Sequence, residues 1–453
     1  MITLTHSTKP AGKKHLRVVG ELPGPHSKAL RDREARFLAP GSQAIAAYAG
    51  IAIQSGNGCE LRDADGNTFL DLAAGICVAA LGYAHPRYVE ALTRQLHTIH
   101  TGSLTTEARV TALETIASVL PEGLSRIQLY SGGSEAVESA IRLARAFTGK
   151  TEVLSFWGGF HGKTAGALAQ MGSPFKFGLG PLAPAAYLSP YADCARCPFR
   201  TTYPKCGLLC VEFARDKLAA ETSGNLAAIL VEPMQGTAGN IVPPPEFLGA
   251  VAALAREKGA LLIADEMITG FGRTGKFFGV EHSGVRPDIM TVGKSLGAGF
   301  PVSGLVVRDD ISRAKPWSNP SFSSSSYGGN PLAAAAVAAS VGIIRDDGLV
   351  DNALRSGKFL RQGFQKLSER FPELAHVRGE GLLIGFDLVE RGTNQLWDST
   401  RCQGLFQALL RRGLLTMAYA PRVRVNPPLI LTLDEASEAL DIFESALAEC
   451  TNA

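Results

Sequence analysis

The chain has 453 residues, 45% hydrophobic and 19% charged, and its 45 basic and 42 acidic side chains give a formal net charge of +3. That length exceeds what one core usually fills, so two domains are expected, and the balance of residue types excludes bulk disorder. The mild charge excludes a nucleic-acid footprint, and no apolar run is long enough to span a bilayer, so no membrane partner is expected.

Residues 1–60 read as an N-terminal arm. Met1 to Gly20 is polar and basic and has no stretch suited to a signal peptide, which leaves the cytoplasm as the expected location. Gly58 to Leu72 alternates apolar and polar residues about Asp63-Ala64-Asp65-Gly66-Asn67 and reads as a β-hairpin. Beyond about residue 85, helix and strand signals alternate. Val137, Ala140, Ile141 and Ala144 share one helical face, and that helix ends near Gly149. Val153 to Phe156 is a short strand. Ala227 to Val231 and Ala260 to Ala264 are apolar runs of the kind buried on both faces, with a helix, Ala250 to Glu257, between them. Ile289 to Val292 and Val302 to Val307 are two further strands. This order predicts an α/β large domain over 61–335 with a mostly parallel sheet. Long helices with a few strands then predict a smaller α+β domain over 336–453.

Three motifs carry chemistry. Ala260-Leu-Leu-Ile-Ala-Asp265-Glu266 is an apolar strand ending in two carboxylates, and ligands in open α/β sheets gather at such carboxyl ends. Ile289-Met-Thr-Val-Gly293-Lys294 repeats the layout with a lysine. An acid and a lysine at neighbouring strand ends serve equally well as a simple ion pair. Leu129-Tyr130-Ser131-Gly132-Gly133-Ser134-Glu135 runs from a strand through glycines into a helix, a junction that aims N–H groups at an anion; taken alone it is equally a glycine turn with Ser134 as N-cap. It has neither the GxGxxG nor the GxxxxGK[ST] spacing. A phosphate cradle, a carboxylate and a lysine together match the needs of pyridoxal phosphate: an anchor for the phosphate, a charge that keeps the pyridine nitrogen protonated, and an amine that forms a Schiff base and shuttles a proton.

On these motifs the chain, from about residue 30 to about 445, resembles the class III (ω-amino acid) aminotransferases, which have the aspartate-aminotransferase-like fold (fold type I). The resemblance implies that Lys294 is the Schiff-base lysine and that Asp265 pairs with the pyridine nitrogen. It implies that Gly133 and Ser134 bind phosphate and that Phe160, in Gly159-Phe160-His161-Gly162, stacks on the ring with His161 beside the cofactor. Glu232, in Val231-Glu232-Pro233, lies by the substrate pocket. Ser326, in Ser325-Ser326-Tyr327-Gly328-Gly329-Asn330-Pro331, reaches the cofactor phosphate of a neighbouring subunit, so a homodimer is expected. Arg424, three residues before Pro427-Pro428, grips a substrate carboxylate. The activity implied is a ping-pong transfer of an amino group from a primary amine to a 2-oxo acid or other carbonyl acceptor. Racemisation or decarboxylating transamination with the same residues is the alternative.

Four positions depart from the pattern. Ile268 stands where a glutamine usually contacts the ring's phenolic oxygen. Lys163 replaces an arginine that binds distal carboxylates and lacks its planar fork. Thr237 replaces a glutamate that swings the carboxylate-binding arginine aside, and Ser326 replaces threonine. These changes favour a donor without a strict distal carboxylate: an ω-amino acid, a diamine or an amino-sugar type. Separately, Cys194, Cys197, Cys206 and Cys210 follow a Cys-x2-Cys, Cys-x3-Cys spacing in an insert-like loop, shorter than a usual zinc ribbon, which reads first as reduced thiols or local disulfides and second as a thiolate metal site.

Overall fold

The computed structural model describes residues 18–451, so most of the polar leader lies outside the described residues. Fourteen strands are described: β1 (Ile53–Asn57), β2 (Glu60–Asp63), β3 (Thr68–Asp71), β4 (Arg126–Tyr130), β5 (Glu152–Phe156), β6 (Ala186–Ser189), β7 (Leu226–Val231), β8 (Leu261–Asp265), β9 (Ile289–Val292), β10 (Ser303–Val307), β11 (Leu374–Glu380), β12 (Leu383–Leu388), β13 (Leu414–Leu415) and β14 (Arg422–Val425).

The predicted hairpin is β2–β3, with Leu61 opposite Phe69 and Arg62 opposite Thr68. Asp63 Oδ1 accepts the N–H groups of Asp65 and Asn67 at 3.0 and 2.8 Å, and Gly66 takes φ +87°, a conformation that costs glycine nothing. The hairpin does not belong to the central sheet. It pairs in parallel with β13, Leu70 against Leu414, so the N-terminal segment is tied to the C-terminal one.

The central sheet has the order β4-β10-β9-β8-β7-β5-β6. From β6 through β9 the strands are parallel, and β10 runs antiparallel to both β9 and β4. Every residue of β7 and β8 is buried, as their unbroken apolar runs require. β6 has no such run and sits at the edge, partly exposed, which is why its sequence gives no strand signal. The Gly133–Thr148 helix buries Val137, Ala140, Ile141 and Ala144 as its periodicity predicts, and Gly149 closes it at φ +69°. The helix Pro331–Asp346, capped by the Asn330 side chain on the N–H of Ala333, runs straight through residue 336.

Beyond it, β11-β12-β14 form a three-stranded antiparallel sheet. The helices Leu349–Arg370 and Leu433–Thr451 close over it through Phe364, Phe386 and Phe443, whose ring centroids lie 4.9–5.9 Å apart. Asp387, buried on β12, ties this sheet to the loop that follows β6. It pairs with Arg378 at 2.8 Å, with Arg196 of that loop at 2.7 Å, and with Arg422 at 3.5 Å, while Arg422 also holds Asp193 at 2.6 Å.

Candidate active site

Strand order places the chemistry. β4, β9, β8, β7 and β5 point the same way, and β10 runs opposite. The carboxyl ends of five strands and the start of β10 therefore share one edge. Ser131–Ser134 follow β4, Phe160 and His161 follow β5, Glu232 follows β7, Asp265 ends β8, Lys294 follows β9, and Ser303 opens β10. A cavity of about 390 Å³ lies at this edge, within the range of small-ligand sites. Gly133, Ser134, Phe160, His161 and Lys294 line it, together with Met267, Phe300 and Ser303.

The helix entry is prepared for an anion. Glu135 Oε2 accepts the N–H groups of Ser131 and Gly132 at 3.0 and 2.7 Å, while those of Gly133 and Ser134, in the first turn, have no intrahelical acceptor. Ser303 Oγ donates to the Gly132 carbonyl at 2.7 Å and pins the turn from β10. Ser134 Oγ accepts the N–H of Lys163 at 3.2 Å, which leaves its hydroxyl proton free for another acceptor. A Cβ built on Gly162 would stand 2.1 Å from Ser134 Oγ, and Gly162 has φ +125°. Only glycine fits there.

Asp265 is 1% exposed. Its Oδ2 is 2.7 Å from His161 Nδ1, and its Oδ1 accepts from Thr291 Oγ1 at 3.0 Å and from the N–H of Met267 at 3.1 Å. Burial alone pushes the carboxyl up and the imidazole down. The hydrogen bond and charge between them outweigh it, so Asp265 stays below the usual carboxylate range and His161 rises above its own. Lys294 adds its positive charge to the effects that keep Asp265 ionised. The lysine adopts φ +46°, a left-handed conformation that costs a side-chain-bearing residue about 1–3 kcal/mol and clusters at functional sites.

Glu232 is also buried, and its two oxygens take the N–H groups of Phe160 at 2.9 Å and Gly236 at 3.0 Å. It therefore positions the Phe160 loop. Burial, with His161 pulling down and Asp265 pushing up, brings its carboxyl to about 7. A raised folded value means that the folded chain holds this proton more tightly than the unfolded chain. The contribution of Glu232 to stability is thus full below its unfolded value and falls away as pH rises through about 7. Glu232→Gln is expected to remove that decline. Urea midpoints of both proteins at pH 5 and pH 8 check it, and an unchanged difference between the two pH values would reject the shift.

The remaining expected residues stand apart from the cavity lining. Ile268 is buried with Met234, Cys77 and Leu383 and offers no polar contact. Lys163 is exposed, its ammonium 5.1 Å from the centre of the Phe175 ring, which packs edge-on to Phe160. Arg424 is half-buried on β14 opposite Gly385 and, among the described residues, has no ion pair, unlike its neighbour Arg422. Ser326 is exposed and lines a separate cavity with Glu138, Arg142 and Thr164. Among the described residues all eight cysteines are free; burial pushes Cys194 and Cys210 up to about 11, so neither is poised as a thiolate nucleophile. Sequence reading missed Ser303, Met267 and Thr291. The N-cap is Gly132 and not Ser134, which lies inside the first turn, because the Glu135 carboxylate reaches back to the Ser131 and Gly132 N–H groups and no capping side chain is needed; Ser303 is visible only once β10 is known to run antiparallel.

Comparison with known proteins places this arrangement. The class-III aminotransferase family profile matches residues 43–447. The chain is 37% identical to acetylornithine aminotransferase of Mycobacterium tuberculosis over 88% of its length and 90% of that protein. It is 33% identical to the 4-aminobutyrate aminotransferase of the same organism over 96% of the chain and 98% of that protein. Among solved structures, an amine transaminase from an uncultivated Pseudomonas species in its pyridoxal-phosphate-bound form superposes with TM-score 0.86 at 29% identity, covering 92% of this chain and 99% of that one. A transaminase from the marine bacterium Virgibacillus gives 0.86 at 27%, covering 94% and 99%.

Proposed function

Because the chain belongs to the class-III aminotransferases, we propose that Lys294 carries its pyridoxal phosphate, that the first turn of the Gly133–Thr148 helix takes the phosphate, and that Asp265 takes the ring nitrogen. The protein is a pyridoxal-phosphate-dependent transaminase that acts on small amine and oxo-acid substrates. The observation that carries the residue assignment is that Lys294, Gly133, Ser134 and His161 line one cavity, while the buried Asp265, at the end of the strand adjacent to that of Lys294 with register Asp265 to Thr291, is bound to His161 just behind that lining. The residues fit the cofactor. Asp265 has about four lone-pair positions and three donors in place, so one position remains for a protonated nitrogen. Gly162 keeps the cradle clear of a side chain.

Bound there, the cofactor supplies a protonated pyridine ring that accepts the electron pair of the bond broken at the substrate carbon. The chain's own groups do the rest. His161 keeps Asp265 charged, and Asp265 holds the proton at the ring nitrogen. The Nζ of Lys294 takes and returns the proton at the substrate carbon. Glu232 fixes Phe160, which supplies an apolar wall. The exposed Ser326 supports a homodimer in which this hydroxyl completes the cradle of a second copy.

For the substrate we favour an ω-amino donor held by a single carboxylate on Arg424. Thr237 provides no acid to draw that arginine away, so the same guanidinium serves the 2-oxo acid in the second half-reaction; Lys163 is exposed beside Phe175, outside the cavity lining. Arg424→Ala is expected to lower kcat/KM by about 10- to 150-fold for donors and acceptors bearing a carboxylate, the worth of charge-assisted hydrogen bonds. The assay runs 4-aminobutyrate, N-acetylornithine, 2,4-diaminobutyrate and a carboxylate-free diamine against 2-oxoglutarate and pyruvate. The diamine half-reaction, followed alone, should be unaffected; an equal loss across all donors rejects Arg424 as the grip. Inversion of an amino acid without consumption of any oxo acid would sink the transaminase reading itself.

A further inference from the structure

The loop after β6 contains the four clustered cysteines, and no step of the transamination uses them. Cys194 opens a short 3-10 turn, Cys197 follows it, Cys206 sits in the next turn and Cys210 lies in the first turn of the Leu209–Glu221 helix. The chain folds back so that all four line one small cavity, together with the rings of Tyr191, Phe199 and Tyr203. Its volume is about 20 Å³, room for one water-sized particle and no organic ligand. The four sulfurs are not joined in disulfides, and no lysine or arginine lines the cavity.

We propose that Cys194, Cys197, Cys206 and Cys210 form a structural site for one soft divalent cation, zinc foremost, held by four thiolates. Four sulfurs from two short-spaced pairs match the ligand type and number of closed tetrahedral zinc sites. Binding is an exchange without redox change: four S–H protons leave to solvent as four sulfur–metal bonds form. Among the described residues no group of three such side chains is arranged to hold an ion as it stands. Closing on the metal therefore requires side-chain rotation, and a change of staggered rotamer swings a cysteine sulfur by roughly 3 Å.

The surroundings give the site a purpose. Asp193, beside Cys194, holds Arg422 at 2.6 Å, and Arg196, between the first two cysteines, holds Asp387 at 2.7 Å and the Asn394 carbonyl at 3.1 Å. Tyr203, between the two pairs, donates to Glu246 at 2.5 Å. A metal at this point fixes the loop that braces β12 and β14, two residues from Arg424. It acts as a positioning element, apart from the cofactor.

The test is elemental analysis by plasma mass spectrometry of the full-length holoenzyme purified without chelator, paired with thiol titration of the native protein before and after a strong chelator. One zinc (or iron) per chain is expected, with four additional thiols becoming titratable on chelation. Cys197→Ser/Cys206→Ser should lose the metal while retaining the visible absorbance of bound cofactor, which separates this site from the active site. Less than about a tenth of a metal per chain overturns the proposal, whether the thiols are then found free or an intact mass shows them paired as disulfides; wild-type protein alone decides this even if the variant fails to fold. Because metal content is read without an assay of turnover, the result stands whatever becomes of Lys294.

Discussion

Lys294→Ala is expected to abolish turnover, with kcat falling by at least about 10³-fold, since on the proposed assignment the lost amine both anchors the cofactor and moves the proton, and proton transfer alone is worth about 10²–10⁴. Three features of the structure lead to this expectation. Lys294 leaves β9 at the edge where the carboxyl ends meet, it lines the cavity, and its charge bears on Asp265. Borohydride treatment of the wild-type holoenzyme should leave the cofactor covalently attached to the peptide containing Lys294, and the variant should show no such adduct. Its backbone gives an independent readout. At φ +46° alanine retains the left-handed strain and glycine escapes it, so apo Lys294→Gly should be more stable than apo Lys294→Ala by about 1 kcal/mol in urea unfolding. An adduct on a different lysine, with activity surviving in Lys294→Ala, would overturn the assignment.

Asp265→Asn should be nearly as damaging to catalysis and more damaging to the fold. The substitution removes a preorganised charge, for which about 10²–10³-fold in kcat is the usual loss. It also strands His161 as a buried imidazole whose partner no longer carries charge, and breaking a buried pair costs about 3–5 kcal/mol. The pH dependence distinguishes this from simple misfolding. Asp265 is depressed on folding, so its contribution to stability is present above its unfolded value and is lost as pH falls through the folded one. His161 is raised, so its contribution is present below its unfolded value and is lost as pH rises through the folded one. Wild-type stability owed to the pair therefore declines on both the acid and the alkaline side, and Asp265→Asn should flatten the acid limb and leave on the alkaline side only the decline owed to Glu232. Chemical denaturation across pH 4 to 9 measures this. A variant that is uniformly weaker at every pH would show that the pair is not ionised in the native state.

Much of this was legible in the sequence because the deciding signals are local. The unbroken apolar runs at β7 and β8 can only be strands buried on both faces. The 3.6-residue spacing from Val137 to Ala144 fixes one helix face, and Gly149 its end. Asp265, Lys294 and the Ser131–Glu135 turn each stand at a strand's carboxyl end, where α/β sheets hold ligands. Strand neighbours and through-space partners were not legible, because they depend on contacts between residues far apart in the chain. Nothing local to Ser303 says that β10 runs backwards and delivers its hydroxyl to Gly132. Nothing in Gly159-Phe160-His161-Gly162 says that the imidazole binds Asp265, 104 residues on, or that Glu232 holds the Phe160 loop by its N–H. The pairing of the 60–71 hairpin with Leu414–Leu415 is hidden for the same reason, since a two-residue strand carries no pattern of its own. The sequence by itself determined which chemical groups this protein carries and at which strand ends. Only the tertiary structure decided which of them meet, because burial and charge pairing, and with them the ionisation of Asp265, His161 and Glu232, arise only when the sheet edge is assembled.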